Sequence, residues 1–257
     1  MFANYHAHTY RCHHAGGDDR SYVQTAVENG LKIYGVSDHA PYRFPDGSES
    51  DYRVDPGEVD GYFQSYDALR EEFADKIELH IGFELEYYPL YHEDMMAQIR
   101  QTPCEYLILG HHYLNNEADP KIKCAVPQSD PALVKQYVKD VCDGMQTGHY
   151  TYLAHPDIFN FTGDPDLYAE LLRPICLTAR ETGTPLEINF LGIRRSRNYP
   201  NEAFWKMAGE EHNDVIFGVD AHRPSDFVFA DALRQAQTIV NKYSLHLLDT
   251  VPFRCFR

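Results

Sequence analysis

The chain has 257 residues, 43% of them hydrophobic, and a formal net charge of −16. This acidic balance argues against nucleic acid or an anionic membrane as the main partner, because both carry negative charge themselves. No apolar run approaches the roughly 20 residues that a membrane-spanning helix needs, and the first residues lack the basic and apolar regions of a signal peptide. We therefore expect a cytoplasmic protein that exists as a monomer or a small homo-oligomer.

Short apolar segments alternate with longer amphipathic segments along the chain. Segments of Ile, Val, Leu and Tyr that are apolar throughout are typical of strands covered on both faces. They predict strands at residues 3–8, 33–37, 77–86, 106–110, 150–154, 186–189 and 215–219, with a last short apolar run at 244–248.

Four amphipathic segments predict helices with recognisable starts. Asp55-Pro56-Gly57-Glu58 resembles an N-cap with proline and glutamate in the first turn, and it precedes a helix at 59–73. Asp130-Pro131 and Asp164-Pro165 open two further helices, and a fourth spans 229–243.

Two polar loops, at 40–55 and 114–130, follow predicted strand ends, and loops this long are usually functional or mobile. We expect both loops to cover a site.

The strand–helix order repeats without a break in composition that would mark a linker. This pattern predicts one domain over residues 1–257, built as a right-handed parallel α/β barrel. An open doubly wound sheet is the alternative, but no G-x-G-x-x-G motif follows the first strand.

Residue types that bind metals recur at the predicted strand ends. They are His6, His8, His14, Asp38, His39, Glu84, Glu86, His111, His112, His155, Asp220 and His222. The carboxyl ends of the strands meet at one mouth of a barrel, so these groups are expected to form one site. Mixed imidazole and carboxylate ligands suit Zn²⁺, Mn²⁺ or Fe²⁺ rather than Ca²⁺. A carboxylate such as Glu84 or Asp220 has two oxygens and can bridge two ions.

These residues, in this order, resemble the PHP superfamily, named for polymerase and histidinol phosphatase, over essentially the whole chain. The segments that carry the resemblance are His6-Ala-His8-Thr, Ser37-Asp38-His39, Gly82-Phe83-Glu84, Gly110-His111-His112-Tyr113, Ala154-His155-Pro156 and Asp220-Ala221-His222. As a set they are specific, although each alone is weak. Segments 6–14 and 187–194 look like those of the monofunctional histidinol-phosphate phosphatases.

The resemblance implies a distorted (β/α)7 barrel, the TIM-like PHP fold, with a trinuclear metal centre. Carried over by position, the ligands are His6, His8, Glu84 and Asp220 for the first ion, Glu84 again with His112 and His155 for the second, and His14, His39 and His222 for the third. His111 precedes His112 directly, so either of the two is a candidate ligand.

The implied activity is hydrolysis of a phosphate monoester, L-histidinol phosphate, to L-histidinol and phosphate in histidine biosynthesis. A hydroxide shared by two of the ions would attack phosphorus. Three residues would act directly: Glu84 bridges ions, Arg194 contacts the phosphate, and Asp220 accepts a proton from the attacking water. Further candidates for substrate contact are Arg197, Glu86 and His111.

Two other functions stay open. The chain could act on another small phosphate ester or a nucleotide, or it could be a metal-binding regulatory module without catalysis. A metal-dependent amidohydrolase also begins with H-x-H, but no lysine lies at a middle strand end to be carboxylated.

Overall fold

Seven β-strands and eight α-helices follow one another along residues 1–48, 50–117 and 122–257, the part of the chain that this computed structural model describes, with one or two helices after each of the first six strands. The strands are β1 (Ala3–Asn4), β2 (Ile33–His39), β3 (Glu78–Glu86), β4 (Tyr106–Gly110), β5 (Leu186–Asn189), β6 (Asp214–Gly218) and β7 (His246–Leu247). The helices are α1 (Asp19–Glu28), α2 (Val59–Glu72), α3 (His92–Ile99), α4 (Pro131–Gln146), α5 (Pro165–Thr182), α6 (Phe190–Arg194), α7 (Glu202–Glu210) and α8 (Ala230–Tyr243).

The paired strands are all parallel, as the strand–helix alternation predicts. Strands β1-β2-β3-β4 form one run, and β5-β6-β7 form another. Leu153 joins the two runs, since it forms parallel bridges with Leu109 of β4 and with Leu186 of β5. A further parallel bridge links Ala7 to Ala221, just beyond the ends of β1 and β6. The sheet is therefore curled, and the carboxyl ends of its strands share one side.

The strand predicted at 150–154 is reduced to the single bridging residue Leu153. Its neighbours Thr151 and Ala154 still donate backbone hydrogen bonds to Leu107 and Leu109 of β4. Directly after the segment, His155 adopts a φ of 30°, and the sheet pairing ends. The strand predicted at 3–8 is likewise shortened to β1, with only Ala7 forming a later bridge.

The interior of the curled sheet is filled by large side chains from the strands. Tyr106 of β4 is fully buried, and its hydroxyl lies 2.9 Å from the carbonyl oxygens of both Tyr5 and Val36. The ring fits because Gly35 and Gly82 lack side chains, and a Cβ at either position would overlap it. These two glycines therefore set how closely β2 and β3 approach the ring from β4.

Aspartates begin two of the longest helices, as predicted. Asp130 and Asp164 each accept a hydrogen bond from the backbone N–H two residues on, at 2.8 Å, and each precedes a proline. The predicted cap at Asp55 is wrong for α2. Asp55 accepts from Gly57 N at 2.8 Å within a separate turn, and the helix begins only at Val59.

Parts of the two loops expected to cover the site are described. Residue 49 and residues 118–121, which belong to those loops, lie outside the described residues. None of the helices formed by the described residues has both the length and the apolar character needed to cross a membrane.

Replacing Leu153 by alanine should destabilise the fold, because its fully buried side chain packs in the core at the position where the backbone joins the two runs of strands. Deleting a buried leucine side chain costs about 2–5 kcal/mol of unfolding free energy, which urea denaturation followed by circular dichroism would measure. The control is Leu90→Ala, at a side chain that is 81% exposed. It should change the unfolding free energy by less than about 0.5 kcal/mol. Equal losses in both variants would contradict this role of Leu153.

Candidate metal centre

Three neighbouring strands present carboxylates and imidazoles on one side of the mouth. His39, the last residue of β2, lies opposite Glu84 of β3 in the parallel register. Strand β4 ends at Gly110, where a Cβ would overlap the Glu84 carboxylate. Gly110 therefore leaves the space in which Glu84 is buried, at 1% exposed. His112 follows β4 by two residues.

The other side of the mouth comes from the chain beyond β1 and β6. Backbone hydrogen bonds hold the two segments together, from His8 N to Ala221 O at 2.8 Å and from Asp220 N to His6 O at 2.9 Å. Asp220 has a φ of 50°, a left-handed conformation that aspartate adopts more readily than most residues. This turn brings Asp220 next to His6 and His8.

The carboxylate of Glu84 lies between two groups of imidazoles. Oε2 is 3.4, 3.5 and 3.3 Å from three nitrogens, those of His6 (Nε2), His8 (Nε2) and His39 (Nδ1). Oε1 is 3.0 and 3.7 Å from the Nε2 atoms of His155 and His112. Ligands bound at 2.0–2.2 Å to one cation lie about 3–3.5 Å from each other. Each oxygen of Glu84 therefore faces its own set of ligand-spaced donors.

The two oxygens of the Asp220 carboxylate also have different neighbours. Oδ1 is 3.3 Å from His8 Nε2 and 3.3 Å from His222 Nδ1. Oδ2 accepts a hydrogen bond from Asn189 Nδ2 at 3.0 Å, which leaves Oδ1 directed at the imidazoles. The ring of His14 completes this side, with its centroid 4.9 Å from that of His222.

The donor atoms fall into compact groups whose members lie within 4.8 Å of one another. Among the described residues these groups are His6–His155–Asp220, His6–His8–Glu84, His8–Asp220–His222, His39–Glu84–His112 and His8–Cys12–Asp38. All predicted ligands except His14 therefore belong to such a group. His39 is grouped with Glu84 and His112, whereas the resemblance pairs it with His14 and His222.

Several buried donor atoms in the cluster lack a hydrogen-bond partner in the described chain. They include Glu84 Oε2, Asp220 Oδ1 and His39 Nδ1. An ionised oxygen buried without a partner is strongly unfavourable, so these atoms need cations beside them. The cluster thus fits several divalent metal ions, and imidazole with carboxylate is a suitable donor set for them.

Acceptors behind the imidazoles orient them. Glu187 Oε1 accepts from His6 Nδ1 at 2.7 Å, and Glu86 Oε1 accepts from His112 Nδ1 at 2.7 Å. The carbonyl oxygen of Cys12 accepts from His14 Nδ1 at 2.6 Å. A proton held on Nδ1 leaves the Nε2 lone pair facing the cluster, which is the form that binds a metal.

Sequence reasoning missed Glu187. This fully buried carboxylate also accepts from His155 N at 3.0 Å and from Asn189 Nδ2 at 2.8 Å. Space for it comes from Gly218 on the neighbouring strand β6, where a Cβ would overlap the carboxylate. The available signal was a glutamate inside a short apolar strand, since such a charge needs a buried partner.

Burial and the neighbouring charges act against each other on the site's pKa values. Burial raises the pKa of Glu84, but the surrounding imidazoles more than offset this and hold it well below its usual range. Burial lowers the pKa of His39 well below its usual range. Burial, helped by the charge of His8, lowers the pKa of His222 to about 3. The carboxylate is thus ionised and these two imidazoles are neutral, as metal ligands must be.

His6 behaves differently from His39 and His222. Burial lowers its pKa, but the carboxylates of Glu187, Asp220 and Glu84 outweigh burial and raise the pKa well above the usual value. Binding of a cation at His6 therefore displaces a proton from it.

The two arginines expected at the phosphate lie in different places. Arg194 donates from Nη1 to the carbonyl oxygen of Val219 at 2.9 Å and from Nη2 to that of Asp220 at 3.2 Å. Arg197 instead lines the cavity in front of the cluster. The other residues that line this cavity are His8, His14, His39, Tyr52, His112, Tyr113, Leu191, Tyr199, Asp220 and His222. Arg194 is not among the residues that line this cavity.

Two further candidates for substrate contact lie behind the cavity. Glu86 is fully buried and holds His112, as described above. His111 lies between Tyr88 and Tyr137, with ring centroids 5.8 and 5.7 Å away, and it does not line the cavity. Of the two adjacent histidines, His112 is the one whose imidazole approaches Glu84.

Glu187→Gln should weaken metal binding, because it removes the charge that orients His6 and holds its proton on Nδ1. Loss of such an outer partner typically lowers metal affinity about 10–100-fold. Competition with a chelator, followed by elemental analysis, would measure the change. The control is Glu170→Gln, at an exposed position on α5. Equal metal retention in both variants would contradict the role given to Glu187.

Comparison with known proteins identifies the family. The profile of the family described as PHP domain matches residues 4–190. A probable histidinol-phosphatase of Deinococcus radiodurans is 27% identical over 244 residues, covering 91% of this chain and 92% of the relative. A histidinol-phosphatase of Lactococcus lactis subsp. lactis is 21% identical over 264 residues, covering 96% of this chain and 93% of the relative.

Solved structures share the fold at low identity. The crystal structure of histidinol phosphate phosphatase from Lactococcus lactis subsp. lactis, complexed with zinc, L-histidinol and phosphate, has a TM-score of 0.76 at 20% identity and covers 98% of both chains. The structure of a putative histidinol phosphatase from Listeria monocytogenes has a TM-score of 0.68 at 19% identity, covering 87% of this chain and 96% of its own. Since the family profile spans most of the sequence, the chain belongs to the PHP domain family.

Proposed function

We propose that this protein is a metal-dependent phosphoric monoester hydrolase whose substrate is L-histidinol phosphate. The observation that carries the proposal is the buried Glu84 carboxylate, which lies between two sets of imidazoles beside a cavity that Arg197 lines. The names of the relatives support the substrate, as does the neighbouring structure that held zinc, L-histidinol and phosphate.

We assign the binding of three divalent ions, Zn²⁺, Mn²⁺ or Fe²⁺, to nine residues. These ligands are His6, His8, His14, His39, Glu84, His112, His155, Asp220 and His222. The donor spacings around Glu84 and Asp220 and their unpaired buried oxygens support this assignment. We also propose that the curled sheet is a complete (β/α)7 barrel and that residues 1–257 form one domain. The bridges at Leu153 and Ala7 support this closure.

Divalent ions in this cluster would supply Lewis-acid chemistry, since they make water a better nucleophile and neutralise phosphate charge. Asp220 Oδ1 is buried and has no hydrogen-bond partner among the described residues, while Asn189 donates to Oδ2. We propose that the Asp220 carboxylate also accepts the proton released by the attacking water. Glu84 keeps the two sets of imidazoles at a fixed separation.

Arg197 binds and orients the phosphate. Its Nη1 donates to the hydroxyl of Tyr199 at 3.1 Å, which holds the guanidinium in the cavity wall. A guanidinium pairs with phosphate oxygens through two parallel hydrogen bonds and stabilises negative charge that develops on them. Apolar surface for the remainder of the substrate comes from Tyr52, Tyr113 and Leu191.

Phosphate release from a panel of esters tests the proposal. The panel contains L-histidinol phosphate, a mononucleotide, a generic phosphodiester and small phosphate monoesters, with metals quantified in the same sample. We expect L-histidinol phosphate to give the highest kcat/KM. A preference for another ester would contradict the substrate, and no release from any ester by metal-loaded protein would favour a regulatory metal-binding module.

Arg197→Met and Arg194→Met should affect different properties. Hydrogen bonds to charged groups contribute about 1.5–3 kcal/mol, so Arg197→Met should lower kcat/KM about 10–100-fold with metal content unchanged. Arg194→Met removes the donors to the Val219 and Asp220 carbonyls, so it should reduce metal retention as well as turnover. Steady-state kinetics and elemental analysis measure both effects. The opposite pattern would identify Arg194 as the phosphate residue.

A further inference from the structure

A buried ion pair joins two loops beside the cluster of proposed metal ligands. Arg53, in the loop 40–55, donates from Nε and Nη2 to the Glu117 carboxylate at distances between 2.6 and 3.1 Å. The two side chains are only 2% and 4% exposed. Desolvation offsets much of the attraction in so buried a pair, so its presence is weak evidence for a role in stability. Its main effect is to fix the relative position of the two segments that carry it.

Arg53 and the residue after it form hydrogen bonds to the backbone at the proposed ligand His39. Arg53 Nη1 donates to the carbonyl oxygen of Ala40 at 2.7 Å. Val54 N, one residue further on, donates to the carbonyl oxygen of His39 at 3.1 Å. The segment that contains Arg53 is therefore attached to the end of β2, where His39 enters the cluster.

Glu117, the other member of the pair, lies close in the chain to a second proposed ligand, His112. Glu117 lies five residues after His112 in the chain. His112 and His39 belong to one compact donor group, which they form with Glu84. The ion pair thus connects the two chain segments that bring these imidazoles to the same carboxylate.

Tyr52 extends the connection into the cavity. The Arg53 guanidinium lies 5.4 Å from the centroid of the Tyr52 ring, and this ring contacts His39 edge-on at 4.5 Å. The Tyr52 hydroxyl donates to Glu86 Oε1 at 2.9 Å, the same oxygen that accepts from His112 Nδ1. The Tyr52 ring therefore contacts His39 directly, and its hydroxyl binds the Glu86 carboxylate that orients His112.

We propose that Arg53 and Glu117 are a positioning pair, which sets the separation of the His39 and His112 imidazoles and seats Tyr52 in the cavity wall. The expected effect on turnover rests on the proposed hydrolase function. The expected effect on metal retention does not, because it depends only on the geometry of the donors.

The test uses Arg53→Met, Glu117→Gln and the double variant of the full-length protein. Chelator competition measures metal retention, steady-state kinetics gives kcat and KM, and thermal unfolding gives Tm. We expect each single variant to lose about tenfold in metal affinity, the lower end of the range for outer partners of a metal site. We also expect kcat to fall more than KM rises. The double variant should be no worse than the more affected single variant, because both changes act through one contact.

A conservative variant and a matched control complete the design. Arg53→Lys keeps the charge but cannot bond the carboxylate and the Ala40 carbonyl together, so its metal retention should be intermediate. If Arg53→Met does not fold, Arg53→Lys and Glu117→Gln decide the outcome. The control is Arg173→Met, which breaks the contacts of α5 with Glu210 of α7 and with Glu211 directly after it, and should leave retention and kcat at wild-type values.

Wild-type metal retention and kcat in the folded Arg53 and Glu117 variants would overturn the inference. A lower Tm with unchanged retention well below that temperature would also overturn it, since the pair would then serve stability alone. If the wild-type protein hydrolyses none of the esters, the proposed function fails, while the retention measurements still decide the positioning role.

Discussion

A carboxylate buried among imidazoles is the interaction on which the rest of this structure depends. Glu84 is 1% exposed and reaches five histidines through its two oxygens. Burying this charge costs free energy, and only positive charge beside it can offset that cost. The sheet makes room for it with Gly110 on the adjacent strand, and the imidazoles from other strands bring donors on which cations can bind.

Successive layers of hydrogen-bonding partners surround this point. The imidazoles around Glu84 are themselves held by carboxylates, Glu187 behind His6 and Glu86 behind His112. The Glu86 carboxylate is anchored in turn by Tyr52, which neighbours the Arg53–Glu117 ion pair. Each layer orients the side chains of the layer inside it. Divalent ions bound at the centre would make the local charge positive, so that an acidic protein can still attract a phosphate dianion.

Much of this arrangement is predictable from local pattern. The short apolar runs predict β2, β4 and β5 to within two residues, since strands covered on both faces need continuous apolar side chains. Aspartate–proline pairs predict the starts of α4 and α5 because the capping interaction is local. Helices α1, α3, α6 and α7 were not predicted, because packing against the sheet stabilises short helices more than their own propensity does.

Within the site, the sequence by itself determined which residue types reach the strand ends, because strand period and parallel topology place those ends at one mouth. Only the tertiary structure decided which donors share a carboxylate, and that Glu187 supports His6. It also decided that Arg197 rather than Arg194 lines the cavity. These choices depend on distances between segments far apart in the chain, such as Glu187 and His6, and on space left by glycines on neighbouring strands. Neither quantity is encoded in local periodicity.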